Sequence, residues 1–132
     1  MKRIAKVILY KKDEVLLQLR DDKPDIPFPN YWSLFGGLID EGETPEEALK
    51  REVKEEIRYN LKDFKQVHKG IRKEGDIEVE DNVFAAEIDC DISELKLTEG
   101  QALKFFPVKD LDKIKVMPKW KELILKFFSG KL

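Results

Sequence analysis

The segment Gly37–Tyr59, GLIDEGETPEEALKREVKEEIRY, contains the residues that decide the fold of this chain. Glu52, Glu55 and Glu56 are spaced i, i+3 and i+4, which places the three carboxylates on one side of an α-helix. A separate apolar stripe recurs every four residues through the same helix, at Leu49, Val53 and Ile57. The segment therefore predicts an amphipathic helix that packs its stripe on a core and carries an acidic side.

The acidic side of this helix indicates a metal site. Like charges side by side repel each other and weaken an isolated helix. A hard divalent cation reverses that cost, because Mg²⁺ and Mn²⁺ prefer oxygen ligands and gain from their negative charge. We therefore expect Glu52, Glu55 and Glu56 to be ligands of Mg²⁺ or Mn²⁺.

The spacing of the segment resembles the signature of the Nudix family, G-x5-E-x7-R-E-U-x-E-E-x-G-U, where U is a bulky apolar residue. The matching positions are Gly37, Glu43, Arg51, Glu52, Val53, Glu55, Glu56 and, loosely, Tyr59. The alternative is a solvated acidic helix face, which is what most Glu/Lys-rich helices are. A match at this many fixed positions favours the metal site.

The ends of the helix are also predictable from local chemistry. Thr44 is expected to be the N-cap, with Pro45 at the first helical position and Glu47 completing a capping box. Arg58 stands where the family has a helix-ending glycine. Because a left-handed backbone is costly for arginine, we expect the helix to continue and end near Asn60.

Length, charge and cysteine content limit the class of protein. A chain of 132 residues is long enough for one buried core, so residues 1–132 are expected to form a single domain. The net charge of −2 argues against a nucleic-acid polymer as partner, and no apolar run is long enough for a membrane helix. The single cysteine, Cys90, excludes an internal disulfide and favours a reducing, cytoplasmic location.

The rest of the chain alternates between strand-like segments and turns, and closes with a helix. Apolar patterns and turn residues predict strands at Lys2–Lys11, Glu14–Arg20, Tyr31–Leu34, Phe64–Arg72, Glu78–Ile88 and Leu103–Val108, and a helix at Pro118–Phe128. Three prolines make 21–30 a loop, and a tight turn is expected at 35–37. A mixed sheet covered by helices agrees with the α/β/α sandwich that the Nudix resemblance implies.

The Nudix resemblance implies roles for several residues. Arg51 and Glu43 would support the metal site, with Arg51 holding a ligating carboxylate in place. Gly36 and Gly37 would allow the backbone to approach phosphate closely. The general base is open: the resemblance to the 8-oxo-dGTP pyrophosphatase branch suggests Glu99, which would also be a metal ligand, whereas an ordinary turn carboxylate is the alternative. If Glu99 is only a turn carboxylate, Glu55 or Glu56 would be the base.

Candidate substrate-binding residues lie on both sides of the proline-bearing loop and in the last helix. Phe28, Trp32 and Trp120 could stack on a base, although we favour a core role for Trp32. Arg20 could bind a phosphate or pair with a neighbouring aspartate.

These features predict a metal-dependent pyrophosphohydrolase that cleaves a nucleoside diphosphate linked to another group X. The expected substrate is a small-molecule nucleotide, first a (d)NTP or modified nucleotide, then a nucleotide sugar such as ADP-ribose or a GDP-sugar. The alternative of another class is a non-catalytic nucleotide-binding sensor on the same fold. Whether two chains form a homodimer is left open.

Overall fold

Seven strands and two α-helices follow one another through residues 1–132, all of which the computed structural model describes. The strands are β1 Lys2–Lys11, β2 Glu14–Leu19, β3 Trp32–Ser33, β4 Phe35–Leu38, β5 Phe64–Glu74, β6 Ile77–Glu87 and β7 Ala102–Pro107. The α-helices are α1 Pro45–Ile57 and α2 Pro118–Phe128, and short 3₁₀ helices span Ile92–Glu94 and Val108–Lys113. Neither α-helix combines the length and apolar composition that crossing a membrane requires.

The sheet is built around β1. Its strand order is β3-β2-β1-β6-β5, with β4 also pairing with β1 and β7 with β2. The β1–β6 pair is parallel, whereas β2 and β4 both run antiparallel to β1. The sheet is therefore mixed, as predicted.

Successive residues of β1 alternate between the two faces of this sheet, and each face carries its own core. On one face, Ala5, Val7 and Leu9 pack in a cluster with the buried stripe of α1. On the other face, Ile4 and Ile8 belong to a cluster that includes the buried side of α2. We call these the α1 face and the α2 face. The arrangement confirms the α/β/α sandwich.

The start of α1 agrees with the prediction, but its end does not. Thr44 caps the helix and Glu47 completes the capping box. The helix ends at Ile57, and Arg58 adopts the left-handed conformation (φ 57°, ψ 34°), so the prediction of an end near Asn60 was wrong. The steric cost for Arg58 is about 1–2 kcal/mol, and it is offset by hydrogen bonds that the distant 96–98 loop donates to the last carbonyls of the helix.

The tight turn expected at 35–37 is also corrected, because Phe35–Leu38 is strand β4 and pairs with β1. Gly36 has φ 124° and lies opposite Lys6, and a Cβ at this position would overlap the carbonyl oxygen of Ala5. The two glycines therefore allow β4 to lie close to β1, and they do not form a turn that reverses the chain.

Candidate active site

The guanidinium of Arg51 organises the acidic side of α1. It donates two hydrogen bonds to Glu43, at 2.8 and 2.9 Å, and one to Glu52 at 3.0 Å. It also donates to the carbonyl oxygen of Leu38 at 3.0 Å and reaches Glu55 at 3.5 Å. Because α1, β4 and the loop between them all bind this one group, Arg51 sets the position of the carboxylates relative to the sheet.

The pair of hydrogen bonds from the Arg51 guanidinium to Glu43, the Arg51–Glu43 fork, shifts the pKa of both residues. The hydrogen bonds from Arg51 lower the pKa of Glu43 from 4.5 to about 2. The same bonds to Glu43 raise the pKa of Arg51 above its usual value. Both groups are therefore charged at all physiological pH values, which suits the supporting role predicted for them.

The carboxylate of Glu56, unlike those of Glu52 and Glu55, is not bound by Arg51. Its carboxylate accepts hydrogen bonds from the backbone N–H of Gly36 at 2.8 Å and from Nε2 of Gln18 at 3.3 Å. Burial raises its pKa from 4.5 to about 7, against the opposing effect of the Lys6 charge. Glu56 is thus a half-buried carboxylate with no cation in ion-pair contact.

The glycines of β4 make room for these carboxylates. A Cβ at Gly37 would lie 2.7 to 2.9 Å from the carboxylate atoms of Glu52. A substitution there would push Glu52 away from the strand. Gly36 and Gly37 therefore bring backbone groups and carboxylates together at the edge of β4.

The predicted metal ligands lie near one another but do not converge as a finished cage. No three His, Cys, Asp or Glu side chains are grouped closely enough to hold a metal ion. Glu52 is bound to Arg51, Glu56 is bound to Gly36, and Glu55 is 59% exposed. The donor set still fits a hard divalent cation, since it offers carboxylate oxygens on one helix side and a half-buried carboxylate without a paired cation.

The loop that carries Glu99 is tied to the end of α1. Thr98 donates its backbone N–H to Glu56 O at 3.0 Å and its hydroxyl to Glu55 O at 2.6 Å. On the other side of Glu99, Gln101 donates its backbone N–H to the carbonyl oxygen of Leu19 at 2.9 Å. Glu99 itself is exposed. The fold thus brings this distant residue to the end of the acidic helix.

A groove of about 500 Å³ opens on the α2 face of β1 and β4. Its lining combines apolar side chains with cations: Lys2, Ile4, Lys6, Arg20, Pro27, Phe28, Ser33, Gly37, Leu38, Arg72, Glu74, Met117 and Trp120. Gly37 lines this groove and also lies against the carboxylate of Glu52. The groove and the α1 carboxylates are therefore both adjacent to β4.

Three of the four predicted substrate-contacting side chains line this groove, namely Arg20, Phe28 and Trp120. Arg20 donates to the carbonyl oxygen of Pro27 at 3.0 Å and forms no ion pair with the neighbouring aspartates. Trp32 does not line the groove. Its ring packs edge-on against Phe106 at 4.7 Å between centroids, which is the core role that the sequence favoured.

Three residues of this region, Lys6, Gln18 and Ser33, were not predicted from the sequence. The hydroxyl of Ser33 is buried and has no hydrogen-bond partner. Gln18 binds Glu56, and Lys6 donates to the carbonyl oxygen of Gly36 at 3.0 Å. Lys6 had a detectable signal, because it is the one charged residue within the apolar run IAKVIL of a central strand.

A second, more open cleft of about 890 Å³ lies beyond the end of α1 and includes Cys90. None of the predicted site residues lines it. Burial raises the pKa of the Cys90 thiol, which opposes formation of a thiolate. The cleft therefore offers no support for thiol chemistry.

Comparison with known proteins gives a consistent assignment. The NUDIX domain profile matches residues 2–128. Dihydroneopterin triphosphate diphosphatase of Escherichia coli K12 is 41% identical over 58 residues, which are 42% of this chain and 35% of that protein. Nucleoside triphosphatase NudI of Enterobacter sp. 638 is 53% identical over 34 residues, which are 26% of this chain and 24% of that protein. These alignments thus span about a third and a quarter of the two relatives.

Among solved structures, the NUDIX domain of Shewanella oneidensis NrtR, crystallised with ADP-ribose, superposes with a TM-score of 0.81. It is 18% identical to this chain, and the match covers 98% of this chain and 88% of that one. At this identity the likeness supports the fold alone. The profile match over nearly all residues decides the assignment: the chain belongs to the NUDIX family.

Proposed function

We propose that this chain is a metal-dependent hydrolase that cleaves the diphosphate linkage of a nucleoside diphosphate linked to X, with a (d)NTP or modified nucleotide as substrate. Water attacks a phosphorus atom, a new P–O bond forms, and the bond from that phosphorus to the bridging oxygen breaks. The products are a nucleoside monophosphate and phosphorylated X, which is pyrophosphate when the substrate is a (d)NTP, and one proton from water is released to a base.

The observation that carries this proposal is the position of β4 between two oppositely charged surfaces. Carboxylates approach Gly36 and Gly37 from α1, and a groove lined by Lys6 and Arg20 opens beside the same strand. A diphosphate needs both surfaces, because its oxygens must be neutralised before water can attack. The unpartnered hydroxyl of Ser33 in the groove supports a polar ligand there.

Nudix hydrolases use divalent metal ions, and Glu52, Glu55, Glu56 and Glu99 are the residues that would hold Mg²⁺ or Mn²⁺ here. The bound cation would neutralise phosphate charge and polarise the P–O bonds. Arg51 orients Glu52 through its hydrogen bond and keeps the helix against β4.

The base that accepts the proton of water is proposed to be Glu99. Its loop is bound on one side to the end of α1 and on the other to Leu19, so it lies within the same cluster of elements. Glu55 and Glu56 are the alternatives. A loss of turnover in Glu99→Gln that persists at saturating cation would support Glu99 as base in addition to its role as ligand.

The choice of substrate rests on the relatives and on the groove. Both curated relatives carry names of triphosphate-cleaving enzymes, which supports a (d)NTP or modified nucleotide. Phe28, which is 43% exposed, supplies aromatic surface in the groove for a base. Trp120 borders the groove but is only 3% exposed and packs in the core of the α2 face, so its ring offers a base almost no surface. ADP-ribose or another nucleotide sugar is the second candidate, since the NrtR neighbour binds ADP-ribose.

The test is hydrolysis of a panel of (d)NTPs, oxidised (d)NTPs, nucleotide sugars and dinucleotides with Mg²⁺ or Mn²⁺, with products identified by mass. We expect one class to dominate, and Glu55→Gln and Glu56→Gln to lower turnover by about 10²- to 10⁴-fold. Glu46→Gln, at an exposed position in the first turn of the same helix, is the matched control and should remain active.

Two results would contradict this proposal. Equal activity of Glu46→Gln and Glu56→Gln in folded protein would remove the carboxylate site from the mechanism. Tight binding of a nucleotide without turnover of any panel member would favour the sensor alternative.

A further inference from the structure

Lys6 is placed to act on the substrate from the side opposite the acidic helix. It lies between Ile4 and Ile8 in β1, two residues from each, and so extends from the α2 face. Glu56 belongs to α1, on the other face. The two side chains meet at one residue, because Gly36 donates its N–H to Glu56 and accepts a hydrogen bond from Lys6 Nζ on its carbonyl oxygen.

The ammonium of Lys6 has unused hydrogen-bonding capacity. An ammonium has three donors, and the only acceptor of Lys6 in the structure is the Gly36 carbonyl oxygen, at 3.0 Å. No carboxylate lies within 4.0 Å of Nζ, and the side chain is half-buried on the wall of the groove. A half-buried cation with free donors favours an anionic ligand that supplies the missing acceptors.

The neighbours of Lys6 indicate which anion this is. Arg20 also lines the groove without an ion pair, and its charge acts on Lys6. By contrast, Lys2 lies on the same face of the same strand but pairs with Glu74 at 3.5 Å. The unpaired positive charge is therefore concentrated beside Gly36 and Gly37, where the diphosphate is proposed to lie.

We propose that Lys6 contacts the diphosphate of the substrate, donating to a non-bridging oxygen from the α2 face while the α1 carboxylates act from the other face. The proposal rests on the proposed function for the identity of the ligand. It gives the site a positive charge from the protein itself, so part of the affinity for diphosphate is independent of divalent cations.

The simpler alternative is that Lys6 only supports the Gly36 carbonyl and balances the charge of Glu56. That role requires no phosphate contact. It predicts that loss of the ammonium changes stability or cation affinity and leaves the affinity for a metal-free phosphate compound unchanged.

The experiment is calorimetric titration of the whole chain with inorganic pyrophosphate in EDTA, at several salt concentrations. The variants are Lys6→Met and Lys6→Arg, with Lys2→Met as the matched control. We expect Lys6→Met to weaken pyrophosphate binding by about 10- to 100-fold, the effect of one charge-assisted hydrogen bond, and to reduce its salt dependence. Lys2→Met should change affinity by less than about twofold, because that lysine is exposed and already paired.

Thermal unfolding of each variant establishes that it is folded, and Lys6→Gln replaces Lys6→Met if the latter is not. Affinity for pyrophosphate that is equal in wild type and the Lys6 variant, or undetectable in both, overturns the proposal. Intermediate binding by Lys6→Arg supports it. If wild type binds pyrophosphate through Lys6 but hydrolyses no nucleotide, the proposed function fails and the Lys6 contact stands.

Discussion

Two clusters of charged side chains lie on opposite faces of the sheet, with opposite proportions of acid and base. On the α1 face, one guanidinium, Arg51, has four carboxylates within ion-pair distance, those of Asp40, Glu43, Glu52 and Glu55. This cluster is partly exposed and has an excess of negative charge.

On the α2 face, one carboxylate is shared by two cations. Asp81 is 1% exposed, accepts hydrogen bonds from Arg72 at 2.7 and 3.2 Å, and forms an ion pair with Lys119. Arg72 also pairs with Glu74 at 2.6 Å. These contacts join β5, β6 and the start of α2 and satisfy the buried carboxylate.

The two clusters differ in whether their own residues balance their charge. The Asp81 cluster is satisfied by its own residues, so its contribution is to the folded state. The Arg51 cluster is left with more carboxylates than cations, and such an excess is stable only in water or beside a further cation.

The largest effect on stability is expected from Asp81→Asn. This change leaves Arg72 and Lys119 without their buried counter-charge, which costs about 3–5 kcal/mol of the free energy of unfolding. Urea denaturation measures it. Asp112→Asn, which removes the exposed partner of Lys121, is the matched control and should cost less than about 1 kcal/mol. Equal losses in the two variants would show that the Asp81 cluster is no more structural than a surface pair.

The next largest effect is the pH dependence of stability in EDTA. The pKa of Glu56 is raised from 4.5 to about 7, so the folded state binds more protons than the unfolded state between these values. Stability from this group should therefore fall as pH rises from 4.5 to about 7, by about 3 kcal/mol, and be constant above. Denaturation at each pH should show that the free energy of unfolding falls with pH in wild type and in Glu46→Gln. In Glu56→Gln this dependence should be lost. An unchanged slope in Glu56→Gln would contradict the burial of that carboxylate.

A smaller effect is expected from Arg51→Lys. Lysine keeps the charge but loses the fork that binds Glu43 and Glu52 together, so affinity for Mn²⁺ should fall by about 10- to 100-fold. Titration calorimetry measures this affinity directly. Lys54→Gln, which removes an exposed cation from the same helix, should not lower it. If both variants bind Mn²⁺ as wild type does, Arg51 does not position the ligands.

The smallest effect concerns Glu43. Its pKa is lowered to about 2 by Arg51, so its stabilising contribution is present above 4.5 and lost as pH falls from 4.5 towards 2. Glu43→Gln should be less sensitive to acid than wild type over this range. The exposed Glu41→Gln serves as control, and circular dichroism at decreasing pH measures the difference. A wild-type acid profile in Glu43→Gln would show that the fork adds nothing to the stability of the cluster.

The sequence was most informative where structure depends on neighbouring residues. The N-cap at Thr44, the buried stripe of α1 and the whole of α2 follow from local spacing, and the structure has them as predicted. The strands also agree within about two residues at their ends, as is usual for such boundaries.

The errors arose where distant segments meet. Arg58 ends α1 because residues near Thr98, about 40 positions away, cap the last carbonyls, and no local rule contains that contact. Gly36 and Gly37 form a strand because they pair with β1. Lys6 was overlooked for the same reason, since its partner Gly36 is 30 positions away.

The parallel pairing of β1 with β6 has a consequence for how the protein folds during synthesis. Arg3 and Glu80 are register partners 77 positions apart, whereas β1 reaches β2 through a two-residue turn. Closing the long loop carries an entropic cost that local hairpins avoid, so this pairing is expected late in folding. During synthesis the ribosome releases β1, β4 and α1 well before β6. The candidate active site would therefore be complete only when the second half of the sheet docks.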